Sequence, residues 1–242
     1  MTKRQIFAFS GILRSDDDPL DNSDLLDFAL ALAGPKDPLR VCYVPTALGD
    51  HPGAVESKQK ALAQRSEVQL SVLTLFPQPS VADLRTHLLG QHLVLVEGGS
   101  VVNLVAVWRA HGLDRLLHEC WESGVVLAGP SAGSLCWHLG GPTDSFRDAL
   151  DPFTDGLGFL PFSNGVHDDD PRQPRRTTYR RLVGEGGLPP GYATEDGVGL
   201  HFVEQELHEA VSIRPDARAW WVEPDGDGGH VERAVQPRYL GA

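Results

Sequence analysis

Ser131 sits in Gly129-Pro130-Ser131-Ala132-Gly133, a G-x-S-x-G pattern. Serine is a weak nucleophile near neutral pH. It needs a base within hydrogen-bond reach, and that base needs an orienting acceptor on its other ring nitrogen. Of the ten histidines, His167 is the one in a Gly/Asn/Asp-rich loop downstream of the serine, and it is the candidate base. His118 and His138 fall in apolar helical stretches and read as packing residues. The Ala132 amide, next to the serine, is a candidate oxyanion donor. The Gly99 amide in Glu97-Gly98-Gly99-Ser100 is a second one, if both turns open on one crevice. The chain has no H-E-x-x-H and no C-x-x-C, so a metal-dependent hydrolase is not indicated and no cofactor is expected.

The surrounding pattern explains how such a serine would be held. The apolar run 125–128 reads as a short buried strand, and 134–139 can form a helix. A strand turning sharply into a helix pushes the intervening residue out of the sheet edge and aims free helix N–H groups at whatever lies there. Upstream, strands are expected at 5–9, 40–44, 68–76 and 92–96. Helices are expected at 24–33, with Ser23 as its cap, and at 53–66, 81–89, 103–110 and 113–123. Alternation at this spacing predicts an α/β fold, a mostly parallel sheet with helices on both faces, in one domain over 1–242. The stretch 140–165 reads as loops with little regular structure, and 177–183 as helical. Strand-like runs at 198–203, 206–213 and 219–223 would finish the sheet or add an antiparallel ribbon, with a hairpin turn at 225–229. The loop 15–22, with its Asp16-Asp17-Asp18 run, reads as solvated.

Composition limits the partners. With 242 residues, 41% hydrophobic and 22% charged, the chain suits a globular domain with a full core. A net charge of −12 argues against a nucleic-acid or anionic-membrane surface. The expected partner is a small substrate, with self-association left open. Three cysteines, Cys42, Cys120 and Cys136, suggest buried thiols in a reducing compartment. The absence of an 18-residue apolar run or a signal-peptide pattern gives a cytoplasmic expectation.

Four segments carry a resemblance over nearly the whole chain, in the same order. They are Glu97-Gly98-Gly99-Ser100-Val101-Val102-Asn103-Leu104, Ala128-Gly129-Pro130-Ser131-Ala132-Gly133-Ser134, Gly158-Phe159-Leu160-Pro161 leading to Val166-His167, and Ala193-Thr194-Glu195-Asp196-Gly197-Val198-Gly199-Leu200. Together they resemble the peptidase E family, aspartyl dipeptidases related to cyanophycinases. That resemblance implies a flavodoxin-like or class I glutamine amidotransferase-like sheet and metal-free peptide hydrolysis by an activated serine. It implies Ser131 as nucleophile and His167 as base. For the third member it favours Asp196, which falls where relatives carry the catalytic acid, with Asp144 and the neighbouring Glu195 as alternatives. It also implies an arginine that binds the acidic side chain of an N-terminal aspartate. Arg172, Arg175 and Arg176 follow His167 closely, and Arg175 and Arg176 share that expectation. Read without a ligand, the same arginines would be a solvated patch balancing Asp168-Asp169-Asp170.

Three other readings compete. An α/β-hydrolase esterase also uses G-x-S-x-G, but its histidine follows its acid, and His201, His208 and His230 keep it open. A class I amidotransferase would want cysteine where Ser131 stands. A non-catalytic binding protein on the same fold would leave Ser131 unmodified by a serine-directed phosphonate.

Overall fold

The computed structural model describes residues 3–11 and 23–241. The acidic loop at 15–22 and the Ser23 side-chain cap lie outside the described residues. In the first half the elements are β1 (Gln5–Phe9), α1 (Ser23–Leu32), β2 (Leu39–Val44), α2 (Pro52–Leu62), β3 (Val68–Val72), α3 (Leu84–Leu89) and β4 (Leu93–Val96). Then come α4 (Val101–His111), α5 (Leu113–Glu122), β5 (Val126–Pro130) and α6 (Ala132–Leu135). The second half holds β6 (Gly141–Thr143), β7 (Asp151–Phe153), β8 (Ser163–Gly165), α7 (Arg175–Gly184) and β9 (Gly191–Thr194). It ends with β10 (Val198–Val203), β11 (Glu206–Ser212), β12 (Ala219–Pro224), β13 (His230–Val235) and β14 (Arg238–Tyr239).

The main sheet has eight strands in the order β14-β11-β10-β1-β5-β4-β2-β3. Pairing is parallel from β1 through β3, and β10 alone runs against its neighbours β1 and β11. The central strands are buried on both faces and read as unbroken apolar runs, as a covered parallel sheet requires. Their side chains divide with a period of two. Ile6, Ala8, Cys42, Val44, Val94, Val96 and Leu127 pack under α3, α4 and α5, beside Leu88, Leu104, Trp108, Leu117 and Trp121. Phe7, Phe9, Val41, Tyr43, Leu93, Leu95, Val126 and Ala128 pack under α1 and α2, beside Leu25, Ala29 and Leu62. Each fully buried Leu, Val or Phe contributes about 1.5–3 kcal/mol of burial free energy.

Local chemistry sets the helix ends. Ser100 caps α4 by accepting from the Asn103 amide at 3.2 Å, and Gly112 closes it at φ 72°. Asp83 caps α3 through the Thr86 amide. α2 begins with Pro52 behind His51, whose ring accepts from the Gly53 amide.

Several expectations are corrected. The helix after Ser131 spans Ala132–Leu135 only. Beyond it the chain leaves helical pairing and the Leu139 amide donates to the Phe162 carbonyl. The stretch 140–165 is not loop throughout: β6 and β7 form a ribbon, and β8 joins a second sheet in the order β13-β12-β9-β8. These strands have three residues each and are rich in Gly, Pro and Asn, so no apolar alternation announces them. The tail does both things expected of it. β10 and β11 extend the main sheet, while β12 and β13 form the hairpin around residues 225–229 in the second sheet. All three cysteines are buried and unpaired with one another.

Candidate active site

Ser131 lies at the carboxyl end of β5, with φ 53° and ψ −111°. Its amide is still paired to β1, donating to the Phe9 carbonyl at 2.9 Å. Its carbonyl already accepts from Ser134 and Leu135, the first bonds of α6. The residue is thus held on both sides at a positive φ with negative ψ, a strained conformation that costs a non-glycine residue about 1–3 kcal/mol. The flanking glycines are required by close approach. A Cβ on Gly129 would lie 2.5 Å from the Val96 carbonyl oxygen, and one on Gly133 would lie 2.6 Å from the same atom. The elbow is therefore pressed against the end of β4.

His167 and Asp196 come from the second sheet. Strands β8 and β9 are parallel neighbours with Gly165 opposite Ala193. Continuing two and three residues past that pair brings His167 and Asp196 side by side. The His167 ring is 2% exposed. Its Nε2 is 3.0 Å from Ser131 Oγ and its Nδ1 is 2.5 Å from Asp196 Oδ1. The carboxylate accepts, so Nδ1 carries the proton and Nε2 presents its lone pair to the serine hydroxyl. The backbone at His167 also has a positive φ, of 57°.

Three residues that sequence reasoning passed over hold this pair. Ser10, at the end of β1, accepts from the His167 amide at 3.1 Å and donates to the Thr194 carbonyl at 2.9 Å. Asp169 accepts from the Asp196 amide at 2.8 Å and binds Arg214 Nη1 at 2.7 Å. Arg214 Nη1 in turn donates to the Asp196 carbonyl at 3.1 Å. The Asp168-Asp169-Asp170 run offered the signal: three acids beside the base suit partners more specific than solvent.

Asp144 lies elsewhere. It is exposed and is bound by Gln173 at 3.0 Å and by Arg175 at 3.3 Å, and no hydrogen bond joins it to His167. The cause is its position at the end of β6, which lies beside β8 through the Gly140–Ser163 bridge, whereas Asp196 follows β9 on the other edge of β8. Glu195, the other alternative, points the opposite way from its neighbour. It accepts from the Arg218 amide at 2.8 Å and from Arg176 at 2.9 Å. Burial raises its pKa.

The Gly98–Gly99 turn faces the elbow. A Cβ on Gly98 would lie 3.3 Å from Ser131 Cβ. Gly99 adopts φ 133°, and a Cβ there would meet the Ala47 carbonyl at 2.4 Å, so the position admits only glycine. The Gly98 amide is taken by Glu97 Oε1 at 3.1 Å. Among the described residues no acceptor takes the Gly99 or the Ala132 amide.

Of the three candidate arginines, Arg175 is the buried one. Its side chain is 8% exposed, burial lowers its pKa against the pull of Asp144, Asp170 and Asp196, and its Nε has no hydrogen-bond partner. Arg176 is half-exposed, held by Asp168 at 3.0 Å and Glu195 at 2.9 Å, and stacked over Trp220. Arg172 pairs with Asp170 on the surface. The remaining histidines stay away from Ser131. His138 is wholly buried, with Nδ1 on the Ser134 carbonyl at 2.9 Å. His201 contacts Gln5, and His230 is an exposed residue of β13.

An α/β sheet with a serine elbow at a strand end, answered by a histidine–carboxylate pair from a second sheet, defines a serine-hydrolase architecture. The model of peptidase family S51 matches residues 14–210, and the chain belongs to that family; it is a serine-type peptidase. It is 38% identical over 204 residues to the uncharacterized peptidase YgaJ of Bacillus subtilis (strain 168), covering 84% of this chain and 85% of that one. Two crystal structures share the fold at 17% identity. One, from Listeria monocytogenes EGD-e and assigned to peptidase E, has a TM-score of 0.63 over 88% of this chain and 100% of its own. The other, a peptidase from an acI-B1 Actinobacterium, has a TM-score of 0.67 over 97% and 95%.

Proposed function

We propose that this peptidase is a dipeptidase that cleaves short peptides after an N-terminal aspartate, with Ser131 as nucleophile. The observation that carries the reading is the hydrogen-bonded chain Ser131–His167–Asp196. His167 Nε2 accepts the Ser131 proton as Oγ attacks the scissile carbonyl. Asp196 fixes the tautomer and stabilises the imidazolium. The Gly99 and Ala132 amides stabilise the tetrahedral oxyanion, since both remain available as donors. His167 then protonates the leaving amine, and the C–N bond breaks. A water, deprotonated by the same ring, releases the aspartyl group from Ser131.

Arg175 is the residue that binds the substrate's acidic side chain. A buried guanidinium whose Nε makes no hydrogen bond, its nearest carboxylate being Asp170 at 3.9 Å, suits a substrate carboxylate, which accepts two parallel hydrogen bonds. Arg176 is held more closely by its two carboxylates, at 3.0 and 2.9 Å, than Arg175 is by Asp144 at 3.3 Å and Asp170 at 3.9 Å, so it has less to offer.

Turnover of Asp-Leu and Ala-Leu, measured on wild type, Ser131→Ala and Arg175→Ala, tests this. Wild type is expected to favour Asp-Leu. Arg175→Ala is expected to raise KM for Asp-Leu by about 10- to 100-fold, the loss of a charged hydrogen bond, and to leave Ala-Leu unchanged. Equal hydrolysis of both dipeptides by wild type would reject the specificity and retain the peptidase. A folded Ser131→Ala protein with near wild-type turnover would reject the nucleophile.

A further inference from the structure

Away from the elbow, the β10–β11 hairpin brings together His201, His208 and Glu209. One potential ligand atom from each lies within 4.8 Å of the others. The pairing explains how. His201 is opposite Glu209, Phe202 is opposite Leu207, and the register shifts between them, so His208 is the extra residue of a β-bulge. A bulge re-aims a side chain that regular alternation would send to the other face.

His201 is the informative member. It is 4% exposed. Its Nε2 lies 3.0 Å from Gln5 Oε1, and the Gln5 amide nitrogen donates to the Leu32 carbonyl at 3.3 Å. That second bond settles which way the Gln5 amide faces: its oxygen points at the imidazole, so Nε2 carries the proton. Nδ1 is then a bare lone pair. It is buried and has no hydrogen-bond partner among the described residues. An imidazole fixed by a carbonyl on one nitrogen, with its other nitrogen idle, is the arrangement that metal-binding histidines adopt. At Glu209, Arg238 takes Oε2 through two bonds at 3.1 and 2.9 Å, which leaves Oε1.

We propose that His201 Nδ1, His208 and Glu209 Oε1 form a binding site for a divalent transition ion of the zinc type. Two imidazoles and one carboxylate are a borderline-soft donor set that suits Zn²⁺, and a water completes four-coordination. Adjacent ligand atoms in a tetrahedral zinc site are about 3.4 Å apart, so the set must close by roughly 1.4 Å. The exposed His208 and the half-buried Glu209 can rotate to do this while His201 stays fixed. The site is five residues along the chain from Asp196, at most about 17 Å. Gly199 pairs with Phe9 at the elbow end of β1 and His201 with Phe7, two residues further from it, so the role of the site is to clamp the hairpin that follows Asp196 and not to touch substrate.

Titration of the untagged wild-type protein with Co²⁺ and Zn²⁺ tests the site, read by visible d–d absorption and by thermal midpoint. The expected result is saturation at one equivalent, the band intensity of four-coordinate cobalt, displacement by Zn²⁺ and a raised midpoint. His208→Ala, at an exposed position that folding does not depend on, is expected to weaken binding by about tenfold or more and to abolish the midpoint rise. Gln5→Ala is expected to weaken it by about 10- to 100-fold through loss of the tautomer lock. No saturable uptake by wild type, or uptake undiminished in His208→Ala, would overturn the proposal.

Discussion

At the scale of single residues, the contrast between Asp196 and Asp144 is the sharpest test of the site. Both are aspartates near arginines, and both could orient a histidine. Asp196 accepts from His167, whereas Asp144 is bound to Arg175 and Gln173. Replacing Asp196 by asparagine keeps the volume but offers an N–H to the ring, which favours the wrong tautomer. Asp196→Asn is therefore expected to lower kcat by about 10⁴-fold. Asp144→Asn removes a charge partner of Arg175 and should change KM for acidic dipeptides while leaving kcat within about tenfold. Steady-state kinetics on the two variants separates these outcomes, and a collapse of kcat in Asp144→Asn would reassign the acid. Ser131 was legible in the sequence because a strand, two tightly placed glycines and a helix start all lie within a few residues of it. The acid was less legible: Asp196 was favoured over Asp144 only through the resemblance, because its place beside His167 depends on the parallel register of β8 and β9, two strands too short and too polar to leave a pattern.

At the scale of elements, the site is a seam. Ser131 directly follows β5 of the main sheet, while His167 and Asp196 each lie two residues past the ends of β8 and β9 in the second. The chain passes from β9 to β10, and so from one sheet to the other, through Glu195-Asp196-Gly197. Holding that corner is the task of Asp169 and Arg214, which together take both the amide and the carbonyl of Asp196. Ser10 does the same for the His167 amide from the end of β1. If the corner shifts, the imidazole loses its acceptor even though Ser131, His167 and Asp196 are all still present. Asp169→Ala is expected to lower kcat by about 100-fold, the cost of a misplacement near 1 Å, with little change in KM. A readout that a purely structural role would not move is the split itself: a drop in thermal midpoint with unchanged kcat would show that Asp169 supports folding alone. The order of strands and helices through 130 was readable because apolar periods of 2 and 3.6 alternate there. The β8–β9 half of the second sheet was not, because those strands pair across long irregular segments, whereas its β12–β13 hairpin was announced by the turn at 225–229. The charged run 168–170 looked like a solvated patch until the partners contributed by α7 and by residue 214 were in place.

At the scale of the whole molecule, the family, the fold and the distribution of buried histidines bear on how the protein responds to acid. Among the described residues no helix is long and apolar enough to cross a membrane. His138 lies where α6 gives way to the second half of the chain, wholly buried between Phe162 and Phe202. Burial lowers its pKa to about 4, opposed by its bond to the Ser134 carbonyl. The folded protein therefore keeps this ring neutral at pH values where the unfolded chain, with an ordinary histidine near 6.5, takes up a proton. Between those two values the unfolded state binds more protons, so stability falls as pH falls. The contribution is complete above about pH 6.5, and its loss by pH 5 is about 2 kcal/mol. His201 adds a second loss in the same direction and window. Denaturant unfolding of wild type and His138→Gln at pH 7 and pH 5 isolates the His138 share. Glutamine can still donate to the Ser134 carbonyl but cannot titrate, so the variant should start less stable and lose about 2 kcal/mol less between the two pH values. Equal pH slopes in the two proteins would mean that His138 is protonated in the folded state.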